Sequence, residues 1–176
     1  MLPRNTRVAT ILALPLMWSS ISLASDDEPQ VVVESDGTVQ ITLPVDADPA
    51  QVRAALADPK SSLQLSDDVL DVQSTPKGSC DALRIETRGL TRPLVVHTER
   101  CRTSSGVRES LVKSDDFTAY ASEWRVTERD GRTVVTLRTK AEPNMSVPRF
   151  LVLRSIRDGA VRSVLALKRL ITRSKD

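Results

Sequence analysis

Apolar residues recur at spacings of three and four along the last thirty positions of the chain. Leu153, Ile156, Ala160, Val164, Leu167 and Ile171 fall on one stripe at 3.6 residues per turn, with Arg154, Asp158, Arg162, Arg169 and Arg173 opposite. The spacing predicts one long amphipathic helix over Asn144–Arg173. Ser146, with Pro148 just inside it, is the expected start, because a serine oxygen accepts an orphan N–H and proline lacks the donor. Such a stripe requires a partner surface.

Upstream the period changes to two. Val31-Val32-Val33 and Val39–Leu43 flank Ser35-Asp36-Gly37-Thr38, where Asp-Gly signals a hairpin, and Val39, Ile41, Leu43 and Val45 alternate with other residues as in a half-buried strand. Asp48-Pro49 opens a short helix through Leu56, stopped by Asp58-Pro59. A second short helix or turn at Lys60–Leu65 leads to the strand Val69–Gln73. Further strands are expected at Asp81–Arg88, Pro93–Arg102, Val107–Lys113, Thr118–Thr127 and Thr133–Lys140, the last two separated by Asp130-Gly131. Strands joined by tight turns form an antiparallel meander. The fold class is α+β: a curved antiparallel sheet wrapped on the C-terminal helix.

The alternation also assigns faces and register. Leu83, Ile85 and Thr87 share one side of their strand, and Leu94, Val96 and Thr98 share one side of the next. A hairpin symmetric about Leu90–Thr91 pairs 83 with 98, 85 with 96 and 87 with 94, a register that a one-residue slip would destroy. Tyr120, Trp124 and Val126 likewise share a face, opposite Ala119, Ala121, Glu123 and Arg125. The same register sets Cys80 against Cys101 on the outward face and Asp81 against Arg100 on the inward one.

Residues 1–24 stand apart from this pattern. Arg4 and Arg7 precede an apolar run from Val8 to Trp18, and Ser22-Leu23-Ala24 offers small residues at a cleavage site. This is the layout of a secretory signal peptide, cleaved after Ala24, with an apolar core too short to span a bilayer. Residues 25–30 form a polar, mobile lead-in, and residues 31–173 one domain, placed in the periplasm or secreted. Removing Arg4 and Arg7 from the 25 Lys+Arg of the whole chain leaves 23 cations against 23 acids. A neutral domain lacks the basic excess by which proteins displace counterions from nucleic acid, so no nucleic-acid partner is expected. Beyond the leader the aromatic residues are Phe117, Tyr120, Trp124 and Phe150, so the core must be aliphatic.

Two cysteines in an exported chain favour a disulfide, and their facing positions strengthen that reading for Cys80 and Cys101. A cysteine nucleophile would need a base, and the single histidine, His97, points outward. With one histidine and two bonded cysteines no metal site is expected, and no glycine-rich phosphate loop implies a cofactor. Asp81 and Arg100 lie at inward positions, and Arg138 and Glu109 are expected in similar placement near strand ends. They read either as charges solvated at the sheet rim or as a polar handle for a ligand head group. Small residues at Gly159, Ala160 and Ser163 leave the middle of the helix either in close approach to the sheet or with room for a guest. Its arginines either face solvent or meet anionic lipid or an acidic partner.

The order of elements, with the segments Val39–Leu56, Asp116-Phe117-Thr118-Ala119-Tyr120-Ala121-Ser122-Glu123-Trp124-Arg125-Val126, Gly131-Arg132-Thr133-Val134-Val135 and Glu142-Pro143 to Pro148-Arg149-Phe150-Leu151, resembles the polyketide cyclase/dehydrase and coenzyme Q-binding branch of the START-like (SRPBCC) superfamily, in its exported bacterial members. The resemblance covers about Val31 to Arg173 and carries no catalytic signature. It implies a helix-grip fold: about seven antiparallel strands plus the N-terminal hairpin arm, gripping the C-terminal helix over an apolar cavity. Family members bind or carry hydrophobic molecules such as lipids, quinones and polyketides, and a few act on them.

The expected function is therefore binding or transfer of a hydrophobic small molecule or lipid, with transient contact to a membrane surface. The expected lining is Leu83, Ile85, Val96, Tyr120, Trp124, Ile156, Ala160 and Val164, with Met145 and Phe150 near one mouth. Asp81, Arg100 and Glu109 are the candidate head-group contacts. Two alternatives stand beside it. One is a cyclase or isomerase using Glu109, Asp81 or Tyr120 as acid or base; the other is an interaction module with a filled core.

Overall fold

The alternation at Val39, Ile41, Leu43 and Val45 becomes a strand whose four apolar side chains are all buried while the residues between them are half-buried. The computed structural model describes residues 28–89 and 92–173. Their elements are β1 (Gln30–Val33), β2 (Val39–Val45), α1 (Pro49–Ala57), α2 (Ser61–Leu65), β3 (Val69–Lys77), β4 (Cys80–Thr87), β5 (Leu94–Thr103), β6 (Gly106–Ser114), β7 (Phe117–Arg129), β8 (Arg132–Pro143) and α3 (Arg149–Arg173). The expected leader and the Leu90–Thr91 turn centre lie outside the described residues.

The strands form one antiparallel eight-stranded sheet in the order β1-β2-β8-β7-β6-β5-β4-β3. The N-terminal hairpin is thus part of the main sheet, because β2 pairs along its whole length with β8. The β4–β5 register is the expected one, with Leu83 against Thr98, Ile85 against Val96, Thr87 against Leu94 and Asp81 against Arg100. Cys80 faces Cys101 in that ladder and is bonded to it. Two turn sites explain their glycines. Asp130 and Gly131 both take positive φ, as a two-residue hairpin loop requires. A Cβ at Gly106 would collide with the Trp124 carbonyl oxygen.

The helices start where chemistry permits. Asp48 caps α1 by accepting from the Ala50 and Gln51 N–H groups at 2.7 and 3.3 Å, with Pro49 next in line. α3 begins later than its apolar period suggests. Residues 144–148 are not helical, and the Pro148 carbonyl accepts from Leu151 at 2.9 Å, so the helix runs from Arg149 and Ser146 is not its cap. Pro148 stands just before the helix instead of inside it.

The core lies at one end of the sheet–helix sandwich. Val39, Ile41, Leu43, Val135 and Leu137 meet Val52 and Leu56 of α1 and Val164, Leu167 and Ile171 of α3. Each such side chain contributes about 1.5–3 kcal/mol on leaving water. This end is packed, while the middle of α3 is not. Replacing Cys80 and Cys101 together with serine is expected to lower the unfolding free energy by about 3 kcal/mol, because the disulfide then no longer restricts the unfolded chain; urea unfolding of the variant measures it.

Candidate functional site

A cavity of about 340 Å³ lies between the sheet and the middle of α3. Its apolar wall comes from alternate residues of the strands: Ile85 on β4, Val96 on β5, Tyr120 and Trp124 on β7, and Leu137 on β8. Ile156, Gly159 and Ala160 of α3 close the opposite side, and Leu65 and Val69 close the flank at α2. The helix carries Ser155, Gly159 and Ser163 at i, i+4 and i+8 along this wall. A Cβ at Gly159 would meet nothing nearer than the Arg162 guanidinium at 4.0 Å. The glycine therefore borders open space, and close approach to the sheet does not explain it.

One part of this apolar wall is charged. Arg100 on β5 and Glu109 on β6 are directly opposed in the ladder and both buried, with 9% and 5% of their surface exposed. Arg100 donates from Nε (2.9 Å) and Nη2 (2.7 Å) to Glu109 Oε2, and from Nη2 (2.6 Å) to Ser62 Oγ on α2. The other carboxylate oxygen, Oε1, is buried without a hydrogen-bond partner, as is Thr98 Oγ1 two residues along β5. Both residues line the cavity. A buried acceptor left unsatisfied costs about 1–3 kcal/mol.

Tyr120 shares this polar region. Its ring keeps some accessible surface because it faces the cavity, but it lies deep in the protein. Burial holds its hydroxyl protonated well above the ordinary phenol range, and the Glu109 charge acts in the same direction. Arg100 and Ser122 offset part of this. The site thus presents a protonated phenol beside an Arg100–Glu109 pair in which Nε and Nη2 of the arginine are engaged.

The structure places the expected residues in three groups. Ile85, Val96, Tyr120, Trp124, Ile156 and Ala160, with Arg100 and Glu109, line the cavity. Leu83 and Val164 are buried but off its wall, Val164 belonging to the packed core. Met145 and Phe150 are 60% and 68% exposed and do not line it. Asp81 is also off the wall: although opposed to Arg100 on one side, it yields that guanidinium to Glu109 on the other. Arg138 alternates with Leu137 and Thr139, both on the wall, so it leaves by the opposite face and donates to Glu34 at 2.7 Å. Glu109 sits in mid-strand, not at a strand end.

Sequence reasoning missed Ser62, Thr98 and Ser122 as site residues. Thr98 and Ser122 carried the signal of inward parity on their strands. Ser62 carried none, since 38 residues separate it from Arg100. Cys80 and Cys101 lie close to Glu99, but sulfurs bonded to each other offer no thiolate to a metal.

Solved structures share this architecture. A START superfamily protein from Mycobacterium smegmatis superposes with a TM-score of 0.68 at 15% identity, covering 77% of this chain and 97% of that one. The Zhui aromatase/cyclase from Streptomyces sp. R1128 gives 0.70 at 15% identity, covering 79% and 95%. A STAR-related lipid transfer protein from Xanthomonas axonopodis gives 0.61 at 15% identity, covering 83% and 99%. No protein-family model matches the chain, and no curated protein matches it in sequence. At these identities the likeness is one of fold, and the fold is the START-like helix grip.

Two measurements test the polar region. Glu109→Ala is expected to cost about 3–5 kcal/mol of stability by stranding the buried guanidinium, and Arg100→Met with Glu109→Leu to recover most of it. Tyr120 is the only tyrosine, so phenolate absorbance reports it alone. With its pKa raised in the folded state, the folded protein holds the proton more tightly than the unfolded chain. Its contribution to stability is full below the ordinary phenol pKa of about 10 and is lost as pH rises above that value. Phenolate absorbance should therefore appear only with unfolding.

Proposed function

We propose that this START-like domain binds or transfers a hydrophobic small molecule, lipid-like or quinone- or polyketide-like. The observation that carries this reading is the cavity: apolar on most of its wall, with the Arg100–Glu109 pair and Tyr120 at one part of it. Apolar burial supplies affinity at about 0.8 kcal/mol per methylene, and the few polar groups set orientation. Ile85, Val96, Trp124, Ile156 and Ala160 would hold the apolar body. The Tyr120 hydroxyl and the Arg100–Glu109 pair would meet the head group. The names of the lipid transfer protein and the aromatase/cyclase that share the fold are consistent with hydrophobic cargo. The leader-like residues 1–24 and the disulfide support an exported, periplasmic setting.

The second reading is proton transfer to a hydrophobic substrate in the same cavity. Glu109 and Tyr120 favour it, since a carboxylate and a phenol both face the space a substrate would fill. Tyr120 would serve as a hydrogen-bond donor or acid, its raised pKa making it a poor base. The cavity volume speaks against the third reading, a module with a filled core.

Native mass spectrometry and solvent extraction of the purified protein are expected to show a hydrophobic small molecule bound at one per chain. Gly159→Leu places a side chain in the space that Gly159 leaves and removes a helix-interior glycine, which costs about 1 kcal/mol relative to alanine. The variant should fold at least as stably and retain much less ligand. A protein that arrives empty and takes up no hydrophobic probe refutes the reading.

A further inference from the structure

One flank of the cavity is a seam, with α3 on one side and the turn between α2 and β3 on the other. Gly159 and Ser163 stand on the helix side, Leu65, Ser66 and Val69 on the turn side, and all five belong to the cavity wall. Arg162, the residue before Ser163, donates from Nη2 to Asp68 Oδ2 at 2.9 Å and so spans the seam. The same Nη2 lies 4.0 Å from where a Cβ of Gly159 would stand. The guanidinium is therefore laid across the bare face of the glycine, at the edge of the cavity.

The two ends of this bridge differ in stiffness. Asp68 is fixed through its backbone: its carbonyl accepts from the Arg88 N–H at 2.7 Å, and its N–H donates to Ser66 Oγ at 3.3 Å. Ser62, on the α2 that precedes the turn, is tied inside the cavity to Arg100 at 2.6 Å. Arg162 reaches across on a long, flexible stem, and the two side chains are 56% and 51% exposed. An exposed pair of this kind contributes little to stability, and exposed side chains change rotamer within nanoseconds. It braces the fold weakly and opens readily. Gly159 adds a second sign, since a helix-interior glycine is unfavourable relative to alanine and no backbone contact requires one here.

We propose that this seam is the portal through which a guest enters and leaves the cavity, and that the Arg162–Asp68 pair is its latch. When the arginine swings into solvent, the notch that Gly159 leaves between helix and turn is uncovered. This rests on the reading that the cavity takes a guest, and adds to it the route and what controls passage. A latch that closes equally over the empty and the filled cavity favours neither state, so it slows entry and exit alike and leaves affinity unchanged.

Quenching of Trp124 fluorescence by acrylamide tests the latch without any guest. Trp124 lines the cavity, and in a Trp18→Phe background it is the only tryptophan. Asp68→Asn and Arg162→Gln should each raise the quenching rate constant about two- to fivefold, the range that loss of an exposed ion pair allows. Added salt should raise it in the parent and not in these variants. Asp68→Arg with Arg162→Asp should restore the parent value, and all thermal unfolding midpoints should stay near that of the parent, as for exposed positions generally. With N-phenylnaphthylamine as the guest, both variants should bind and release it faster by the same factor, at unchanged Kd. Parent-like quenching in both single variants overturns the latch, as does a change in Kd without a change in the rate of entry. A protein whose Trp124 quenching follows the latch but which takes up no probe overturns the cargo reading and leaves the latch standing. A probe that binds while quenching and exchange ignore both substitutions does the reverse.

Discussion

Burial of the apolar stripe of α3 against the concave face of the sheet is the interaction on which everything else depends. A single helix cannot hide its apolar side in water, and an eight-stranded curved sheet presents more apolar surface than one helix covers evenly. The two are matched unequally along their length. Val164, Leu167 and Ile171 reach the residues of β2 and β8 and fill the space with α1. Toward the start of α3, Ser155, Gly159 and Ser163 are too short to do so. The cavity is the part of the helix–sheet interface that side-chain volume leaves unfilled.

The charged pair inside that cavity follows a different logic. Two buried ions are costly to desolvate and contribute little net stability compared with apolar residues of the same shape. Arg100 and Glu109 limit that cost by direct opposition across β5 and β6 and by the bond to Ser62. They do not remove it, because Oε1 of Glu109 stays without a partner. The same geometry ranks the two readings of the cavity. A phenol held in its protonated form suits recognition of a guest better than abstraction of a proton.

Much of the fold could be read from residue order. Alternation in β2, β4, β5 and β7 told inward from outward faces, and two independent alternations agreed on the β4–β5 register that joins Cys80 to Cys101. The site was legible only in part. Ile85, Val96, Tyr120 and Trp124 were found by parity, yet Leu83 and Val164 share the same inward-facing patterns and are not on the cavity wall. Parity tells which face a side chain takes, but not what stands across from it. The α3 start was misplaced for a related reason: Ser146 and Pro148 offer a local start signal, but the backbone there is tied to the β6–β7 turn by Asn144 and leaves the helix to begin at Arg149.

The sequence by itself determined the order of elements, the face of each strand, the disulfide and the long terminal helix, because each rests on local periodicity or on pairing between adjacent strands. Only the tertiary structure decided that Arg100 turns to Glu109 and Ser62 and away from Asp81, that Gly159 borders empty space, and that Met145 and Phe150 lie outside the cavity. Those outcomes depend on sheet curvature and on where the helix crosses it. Both arise from contacts between residues far apart in the chain, which no local pattern records.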